Sequence, residues 1–257
     1  MAGLDTEAIF KRRDFFPRGM VQPKGGYRFS LDSLLLASFA TPGRRHVGVD
    51  LGCGCGVVGM ALLLRQPDLT IAGVEIDPLS VGASEQNSLD LHLIDKFSVS
   101  LGDVTDWRSE KVVDFVVSNP PFRPLGRGKV SQGGERKTAR FEDKGDFAAF
   151  ARCAAIALKT RGKFSFVHLP ERLPELMDGL AKAGLEPKRM VMVHGRAEEN
   201  AKMVLMEAIK AGGPGLKVEP PLILHEGTGR ATRLTEQAVE FCPFLRCNDS
   251  AAGGADE

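Results

Sequence analysis

The sequence predicts an α/β fold, a parallel, doubly wound sheet with an antiparallel end. Apolar runs of strand length alternate with helical stretches from residue 46 to residue 184, and two further apolar runs then follow each other like a hairpin. In addition, glycine, acidic or amide residues come directly after the first four strands. Ligands of such sheets bind beyond the carboxyl ends of the strands, so these residues are the candidates for function.

The predicted elements are justified by their patterns in chain order. Short apolar runs indicate strands, and apolar residues at helical spacing indicate helices. Gly162 and Gly184 are predicted to end the last two helices, since glycine commonly follows a helix. The predicted strands are 46–52, 70–77, 96–104, 112–119, 162–169, 186–194 and 201–211, and the predicted helices are 57–66, 79–93, 147–160 and 172–184.

Composition and charge exclude several classes of protein. The 257 residues are 43% hydrophobic and 26% charged, which is ordinary for a soluble globular domain. With a net charge of +1, any nucleic-acid surface must come from local clustering of basic residues. No apolar window reaches the ~18 residues of a membrane span and no secretory signal is recognisable, so we expect a cytoplasmic protein. The five cysteines are odd in number, and Cys53 and Cys55 are too close for an easy disulfide, which predicts a reducing compartment. No second cysteine pair and no histidine stand at zinc-ligand spacing, so no bound metal is expected.

A glycine-rich segment, VDLGCGCGVVG at 49–59, follows the first strand. Gly52, Gly54 and Gly56 allow a tight turn and a close approach of the backbone to a ligand. The spacing differs from the G-x-G-x-x-G of dinucleotide sites, and Asp50 stands two residues before the first glycine. A tight strand-to-helix turn without a ligand is the alternative interpretation.

Acidic residues follow the second and third strands. Glu75 lies 25 residues after Asp50, and its two carboxylate oxygens can accept hydrogen bonds from ribose hydroxyls. Asp103 is placed to accept from an adenine amino group. An exposed acidic loop residue is the alternative for Glu75.

Taken in order, these features resemble class I S-adenosylmethionine-dependent methyltransferases over roughly residues 20–210. The resemblance implies a Rossmann-like fold with a seven-stranded, mostly parallel sheet and an antiparallel hairpin end. It implies S-adenosyl-L-methionine as the cofactor. It also assigns Asp50 and the three glycines to the first motif, Glu75 with Ile76 to the ribose, and Asp103 with Val104 to the adenine side.

The fourth strand ends in Asn119-Pro120-Pro121-Phe122, which matches the N-P-P-(Tyr/Phe) signature of amino-methyltransferases. In that family the asparagine oxygen and the first proline's carbonyl accept the hydrogens of a planar amino group. Pro121 would fix the direction of that carbonyl, and Phe122 would stack on the flat target. Asn119 is therefore expected in both catalysis and cofactor binding. A purely structural proline corner is the alternative.

Two flanking segments resemble the tRNA adenine-N6 methyltransferases that modify adenine-37 of a valine tRNA. Residues 26–32 match that family's G-Y-R-F-x-x-D run, which implies cofactor contacts from Tyr27, Arg28, Ser30 and Asp32 and a helix capped by Asp32. Residues 220–242 match its final strand, glycine-rich turn and helix. Only about 20 residues precede the first segment, which disfavours the glutamine methyltransferases of release factors with their helical N-terminal domain.

The segment at 123–140 is strongly basic, with six Lys or Arg and one Glu. Placed beside the site, it suits a phosphate backbone. A solvated surface loop is the alternative. The predicted RNA-binding residues are Arg123, Arg127, Lys129, Arg136, Lys137 and Arg140.

Together these patterns predict one methyltransferase domain at 1–247, with an N-terminal segment at 1–45, a Rossmann-like core at 46–211 and a strand–helix extension at 212–247, followed by a disordered tail at 248–257. The predicted reaction is N6-methylation of an adenine in tRNA by a monomer or homodimer. Methylation of guanine N2 in ribosomal RNA or of a protein glutamine amide is an alternative. A cofactor-retaining RNA-binding factor without catalysis is the non-enzyme alternative.

Overall fold

The structure is a computed structural model that describes residues 16–23, 29–122 and 147–246. Its helices are α1 (Leu31–Phe39), α2 (Val57–Arg65), α3 (Pro78–Asp90), α4 (Phe147–Ala157), α5 (Leu173–Lys182) and α6 (Glu236–Phe241). Its strands are β1 (Val47–Leu51), β2 (Thr70–Glu75), β3 (Phe97–Leu101), β4 (Val113–Ser118), β5 (Leu158–His168), β6 (Leu185–His194), β7 (Ala201–Lys210), β8 (Lys217–Val218), β9 (Leu222–Ile223), β10 (His225–Glu226) and β11 (Arg233–Leu234).

The main sheet has the strand order β3-β2-β1-β4-β5-β7-β6-β8, with β9 also paired to β6. Neighbours from β3 to β5 are parallel, and β7 runs antiparallel to both β5 and β6. The predicted fold class is confirmed. Over the described ranges the sheet has nine strands rather than the predicted seven, because two short strands from the C-terminal extension pair with β6.

Helices cover both faces of the sheet, and each face has its own apolar core. One core joins α1, α2 and the buried side of α3 to the sheet and reaches Ala238 of α6. The other core packs α4 and α5 against the opposite face, where the rings of Phe147, Phe164 and Phe166 contact one another. Apolar side chains therefore bury both faces of the central strands, which explains their near-continuous apolar sequence.

The parallel strands bring the predicted site residues to one edge of the sheet. Leu51 at the end of β1 aligns with Val74 of β2 and with Ser118 of β4. The Ser118 hydroxyl donates a 2.8 Å hydrogen bond to the carbonyl of Leu51, which ties the end of β4 to the end of β1. The glycine segment and the Asn-Pro-Pro-Phe segment consequently leave the sheet side by side.

Two local predictions were wrong. Helix α4 ends at Ala157 rather than at residue 160, and the predicted strand 162–169 is one longer strand at 158–168. The strand bulges against β4, with Arg161 at a φ of 68°, and a Cβ on Gly162 would meet the Lys159 carbonyl oxygen at 2.9 Å. Glycine is thus needed here for close packing inside a strand rather than to end a helix.

The second correction concerns the start of α1. Ser30 occupies the N-cap position and Asp32 lies within the first turn, and neither side chain caps the helix. Asp32 instead adds a negative charge near the positive end of the helix dipole. No helix among the described residues is long and apolar enough to cross a membrane.

Candidate active site

A cavity of about 290 Å³ opens at the carboxyl edge of the sheet. Its wall contains several predicted cofactor residues, namely Gly52, Gly54, Glu75, Ile76, Asp103, Val104 and Asn119, and the predicted catalytic residue Pro121. It also contains side chains that sequence reasoning missed, among them Phe29, Ser33, Asp77, Ser80 and Phe150. The strand ends therefore do converge on one pocket.

The glycine segment forms the floor of this pocket. Gly52, Gly54 and Gly56 all have positive φ, at 68°, 55° and 85°, a backbone region that favours glycine. The amides of Gly52 and Cys53 both donate to the carbonyl of Val74, at 2.8 and 3.1 Å. These bonds hold the turn against the end of β2, so the backbone is fixed where a ligand would lie.

Glu75 holds the loops around the pocket together. Its Oε2 accepts from the amide of Gly54 at 2.8 Å, and its Oε1 accepts from the amides of Ile76 and Asp77 at 2.8 and 2.9 Å. A carboxylate has about four acceptor positions, so roughly one remains for a ligand. The predicted ribose acid thus has a second role that its sequence pattern did not reveal, since it links the glycine turn to the start of α3.

The other two acidic residues of the pocket wall, Asp77 and Asp103, also accept hydrogen bonds within the protein. Asp77 caps α3 by accepting from the amides of Leu79 and Ser80 at 3.3 and 3.1 Å, and its pKa is lowered chiefly by the Ser80 hydroxyl. Asp103 accepts from the amide and hydroxyl of Thr105 at 3.0 and 2.8 Å. Both carboxylates still line the pocket wall.

Asp50 lies beneath the glycine segment and outside the pocket wall. It is 1% exposed, and its Oδ2 accepts from the amide of Gly59 in α2 at 3.0 Å. Its Oδ1 is buried without a hydrogen-bond partner among the described residues. Burial, with a smaller contribution from the charge of Glu75, raises the pKa of Asp50 to about 7. Asp50 therefore joins the end of β1 to α2 beneath the turn, and the predicted Gly56, the N-cap residue of α2, also lies outside the pocket wall.

Asn119 is the polar group at the end of β4. Its Nδ2 donates a 3.0 Å hydrogen bond to the hydroxyl of Ser33 on α1. Its Oδ1 is buried and has no hydrogen-bond partner among the described residues. A buried carbonyl oxygen without a partner is costly and indicates a place for a donor that is absent from the structure. Asn119 lines the pocket, so a donor on a bound ligand can reach it.

Of the other three residues of the signature, Pro121 lines the pocket. Pro120 is buried, and Pro121 is partly buried and lines the pocket. The ring of Phe122 is partly buried, lies outside the pocket wall and sits 5.3 Å from the imidazole of His168, measured between centroids. That separation is too short for a base to stack between the two rings, since each stacking contact needs about 3.5 Å. A flat ligand would have to use the open face of Phe122.

His168 is a residue of this edge that sequence reasoning missed. It ends β5 and is 3% exposed, and its Nδ1 accepts from the amide of Leu169 at 2.8 Å. Burial and the nearby charge of Arg172 lower the pKa of His168 to about 4. The imidazole is therefore neutral at physiological pH, and a neutral ring that accepts at Nδ1 carries its proton on Nε2.

The N-terminal segment is attached through Asn87 of α3. The Asn87 amide exchanges two hydrogen bonds with the backbone of Val21, at 2.7 and 2.9 Å, and donates a third to the carbonyl of Cys55 at 3.0 Å. Phe29 and Ser33 line the pocket, whereas the predicted Ser30 and Asp32 do not. The segment thus contributes to the site, but through neighbours of the residues that the motif indicated.

Several predicted residues lie outside the described part of the chain. These are Tyr27 and Arg28, which were predicted to bind the cofactor, and the predicted RNA-binding residues Arg123, Arg127, Lys129, Arg136, Lys137 and Arg140. Within the described ranges, no group of three or more His, Cys, Asp or Glu side chains is arranged to hold a metal ion.

The sequence matches known families and proteins. Residues 31–133 match the family model described as the methyltransferase small domain. The chain is 26% identical to a tRNA1(Val) (adenine(37)-N6)-methyltransferase of Aliivibrio salmonicida, over 84% of this chain and 91% of the relative. It is also 26% identical to the protein of the same name from Porphyromonas gingivalis, over 88% of this chain and 92% of the relative.

Solved structures share the fold. A predicted O-methyltransferase of Agrobacterium tumefaciens superposes with a TM-score of 0.66 at 23% identity, covering 83% of this chain and 96% of the other. A geranyl diphosphate C-methyltransferase of Streptomyces coelicolor, solved with S-adenosyl-L-homocysteine, gives 0.51 at 14% identity, covering 70% and 78%. These findings confirm the predicted methyltransferase fold, and the family model matches its N-terminal part.

Proposed function

We propose that this methyltransferase transfers the methyl group of S-adenosyl-L-methionine to the N6 amino group of an adenine in tRNA. The observation that carries the proposal is the buried Oδ1 of Asn119, which lines the pocket without a partner among the described residues. An acceptor in that position fits an N–H donor of the substrate. Asn119 belongs to the Asn-Pro-Pro-Phe segment, whose rigid backbone suits the precise placement of a planar amino group.

The described residues fit the cofactor. Glu75 has roughly one free acceptor position for a ribose hydroxyl, and Asp103 lies on the same wall for the adenine side. No lysine or arginine is among the described residues of the wall, which suits a cofactor without phosphate groups. When bound, this cofactor supplies an electrophilic methyl group on a sulfonium. The backbone of Gly52 and Gly54 would lie against its methionine part.

The residues of the chain act by positioning. Asn119 Oδ1 accepts one hydrogen of the amino group, and the Pro120 carbonyl accepts the other. Together these two acceptors direct the nitrogen lone pair toward the methyl group, and the face of Phe122 carries the base. The methylated nitrogen is then cationic and releases its extra proton to solvent, so no side chain needs a tuned pKa. His168, neutral at physiological pH, adds no positive charge that would oppose the developing cation.

The tRNA substrate is supported by the names of the relatives, which span most of this chain. The basic segment at 123–140 directly follows Phe122 in the sequence. We propose that its lysines and arginines bind the phosphate backbone, and that the target adenine is turned out of an RNA loop into the pocket. Such a substrate implies a cytoplasmic enzyme.

Mass spectrometry of tRNA nucleosides tests this function. A strain that lacks the gene is expected to lose N6-methyladenosine from one tRNA, and a plasmid copy of the gene is expected to restore it. A plasmid copy carrying Asn119→Ala is the matched control and is expected to restore nothing. Unchanged N6-methyladenosine in the tRNA of the deletion strain would contradict the assignment of adenine in tRNA. Loss of N2-methylguanosine from the ribosomal RNA of the same strain would favour the ribosomal alternative.

A further inference from the structure

Asn87 is a buried amide whose donor and acceptor ends both bind backbone groups. It lies on α3 and is 2% exposed, and its Oδ1 accepts from the amide of Val21 at 2.7 Å. Its Nδ2 donates to the carbonyl of Val21 at 2.9 Å and to the carbonyl of Cys55 at 3.0 Å. A backbone N–H only donates and a backbone carbonyl only accepts, so a reversed amide would be mismatched with all three partners. The orientation of this side chain is therefore determined.

The partners of Asn87 lead to two different parts of the pocket wall. Cys55 belongs to the glycine segment and lines the pocket itself. Val21 belongs to the N-terminal segment, where its neighbour Gln22 accepts at Oε1 from the amide of Phe29 at 3.2 Å. Phe29 also lines the pocket, whereas Asn87 lies outside the wall. One side chain behind the pocket thus joins the glycine segment to the segment that carries Phe29.

Helix α3 gives Asn87 a fixed position. The helix begins after its N-cap Asp77, whose amide donates to Glu75 at the end of β2. Beside Asn87, the hydroxyl of Ser88 donates to the carbonyl of Phe97 in β3 at 3.2 Å. The helix is therefore bonded to the sheet near both of its ends. The glycine segment and the N-terminal segment are aligned against this rigid support.

We propose that Asn87 is a positioning residue for the cofactor, which couples docking of the N-terminal segment on α3 to binding in the pocket. A wall that is already in place needs no ordering when the ligand arrives. Without the Asn87 amide, the backbone groups of Val21 and Cys55 lose their partners, and part of the binding free energy goes into restoring the arrangement. Since such coupling is reciprocal, a bound cofactor stabilises the docked segment by the same factor. The inference rests on the cofactor of the proposed function and is independent of the tRNA substrate.

Asn87→Asp tests the role in binding. The carboxylate keeps an acceptor for the Val21 amide, but it removes both N–H donors and places an oxygen against two carbonyl groups. We expect the dissociation constant for S-adenosylhomocysteine, measured by calorimetry well below the unfolding temperature, to rise about fivefold to fiftyfold, as is usual for coupled sites. A merely structural role would lower the free energy of unfolding and leave binding by the folded protein unchanged.

Gln86→Glu is the matched control, since it makes the same change from amide to carboxylate at the neighbouring, exposed position of α3. It should leave the dissociation constant within about twofold. Gln22→Ala leaves Asn87 intact and removes the acceptor of the Phe29 amide. We expect Gln22→Ala to weaken binding about threefold to tenfold alone, and less than about twofold in the Asn87→Asp background, because both changes break the same connection.

Hydrogen exchange at the Val21 amide, followed by NMR, measures docking of the segment. This amide donates to Asn87, and Val21 lies outside the pocket wall, so a ligand in the pocket does not cover it. Saturating S-adenosylhomocysteine should slow the exchange at least about fivefold in the wild type. In Gln22→Ala the ligand should slow it less than about twofold, although that substitution leaves the hydrogen bond to Asn87 in place.

Several results would overturn the coupling. These are unchanged binding in Asn87→Asp or in Gln22→Ala, additive effects of the two substitutions, and exchange at Val21 that the ligand does not slow in the wild type. A wild-type protein that does not bind S-adenosylhomocysteine would refute the proposed cofactor and this inference with it. The expected binding and exchange in a protein that does not methylate tRNA would refute the proposed substrate alone.

Discussion

Replacing Glu75 by glutamine tests how far the cofactor site depends on one carboxylate. Three backbone amides, those of Gly54, Ile76 and Asp77, donate to Glu75 at 2.8–2.9 Å. Glutamine offers one acceptor oxygen, so its NH₂ group must face either the Gly54 amide or the other two. A hydrogen bond to a charged group contributes about 1.5–3 kcal/mol. The loss of such a bond to the ribose would weaken cofactor binding about 10- to 100-fold.

Calorimetry with S-adenosylhomocysteine and chemical denaturation measure the two consequences. We expect the weakened binding together with a fall of about 1–3 kcal/mol in the free energy of unfolding, since the loop amides lose their acceptor. Glu85→Gln, which removes the same charge from an exposed position on α3, is expected to change neither quantity. Binding within about twofold of wild type and unchanged stability in Glu75→Gln would refute the reasoning.

Two further predictions concern the residues beneath the pocket. Because folding raises the pKa of Asp50 to about 7, the stability of the protein is not reduced by this carboxyl below about pH 4, where it is protonated in both the folded and the unfolded state. As the pH rises to about 7, the free energy of unfolding falls by up to about 4 kcal/mol. Chemical denaturation should therefore show that the free energy of unfolding of Asp50→Asn, relative to that of wild type, is more favourable at pH 8 than at pH 5. The same difference between variant and wild type at both pH values would contradict the raised pKa of Asp50. Gly56→Ala is expected to lower the free energy of unfolding by at least about 1–2 kcal/mol, because φ is 85° and the new Cβ would lie 2.6 Å from Ser84 Oγ. Gly82→Ala, with nothing within 4 Å of its Cβ, should instead stabilise α3 by up to about 1 kcal/mol, and equal effects of the two substitutions would argue against the strained turn.

The alternation of strands and helices could be predicted because each element has a local pattern. β1 to β4 carry apolar runs that end in a glycine or a polar residue, and the parallel sheet follows from the helices between them. The predicted strand 162–169 is shorter than the observed β5, because the bulge at Arg161 and Gly162 depends on pairing with the neighbouring strand β4. A bulge of this kind is set by pairing across the sheet and leaves little trace in the local sequence.

The candidate site was predicted only as far as motifs reach. Glu75, Asp103 and Asn119 were found because they follow strands of a recognisable order. Ser33 and Asn87 were missed, since their hydrogen bonds join residues 86 and 66 positions apart and no local pattern marks them. Such residues form their hydrogen bonds only when folding brings distant segments of the chain together.

Methyl transfer by the purified protein tests the central claim most directly. Unmodified tRNA from the deletion strain would be incubated with isotope-labelled S-adenosylmethionine, and its nucleosides would be separated by mass spectrometry. We predict label in N6-methyladenosine with the wild-type protein and, at saturating S-adenosylmethionine, at least about 100-fold slower labelling with Asn119→Ala. Label in another nucleoside, or near-normal turnover by Asn119→Ala, would contradict the account.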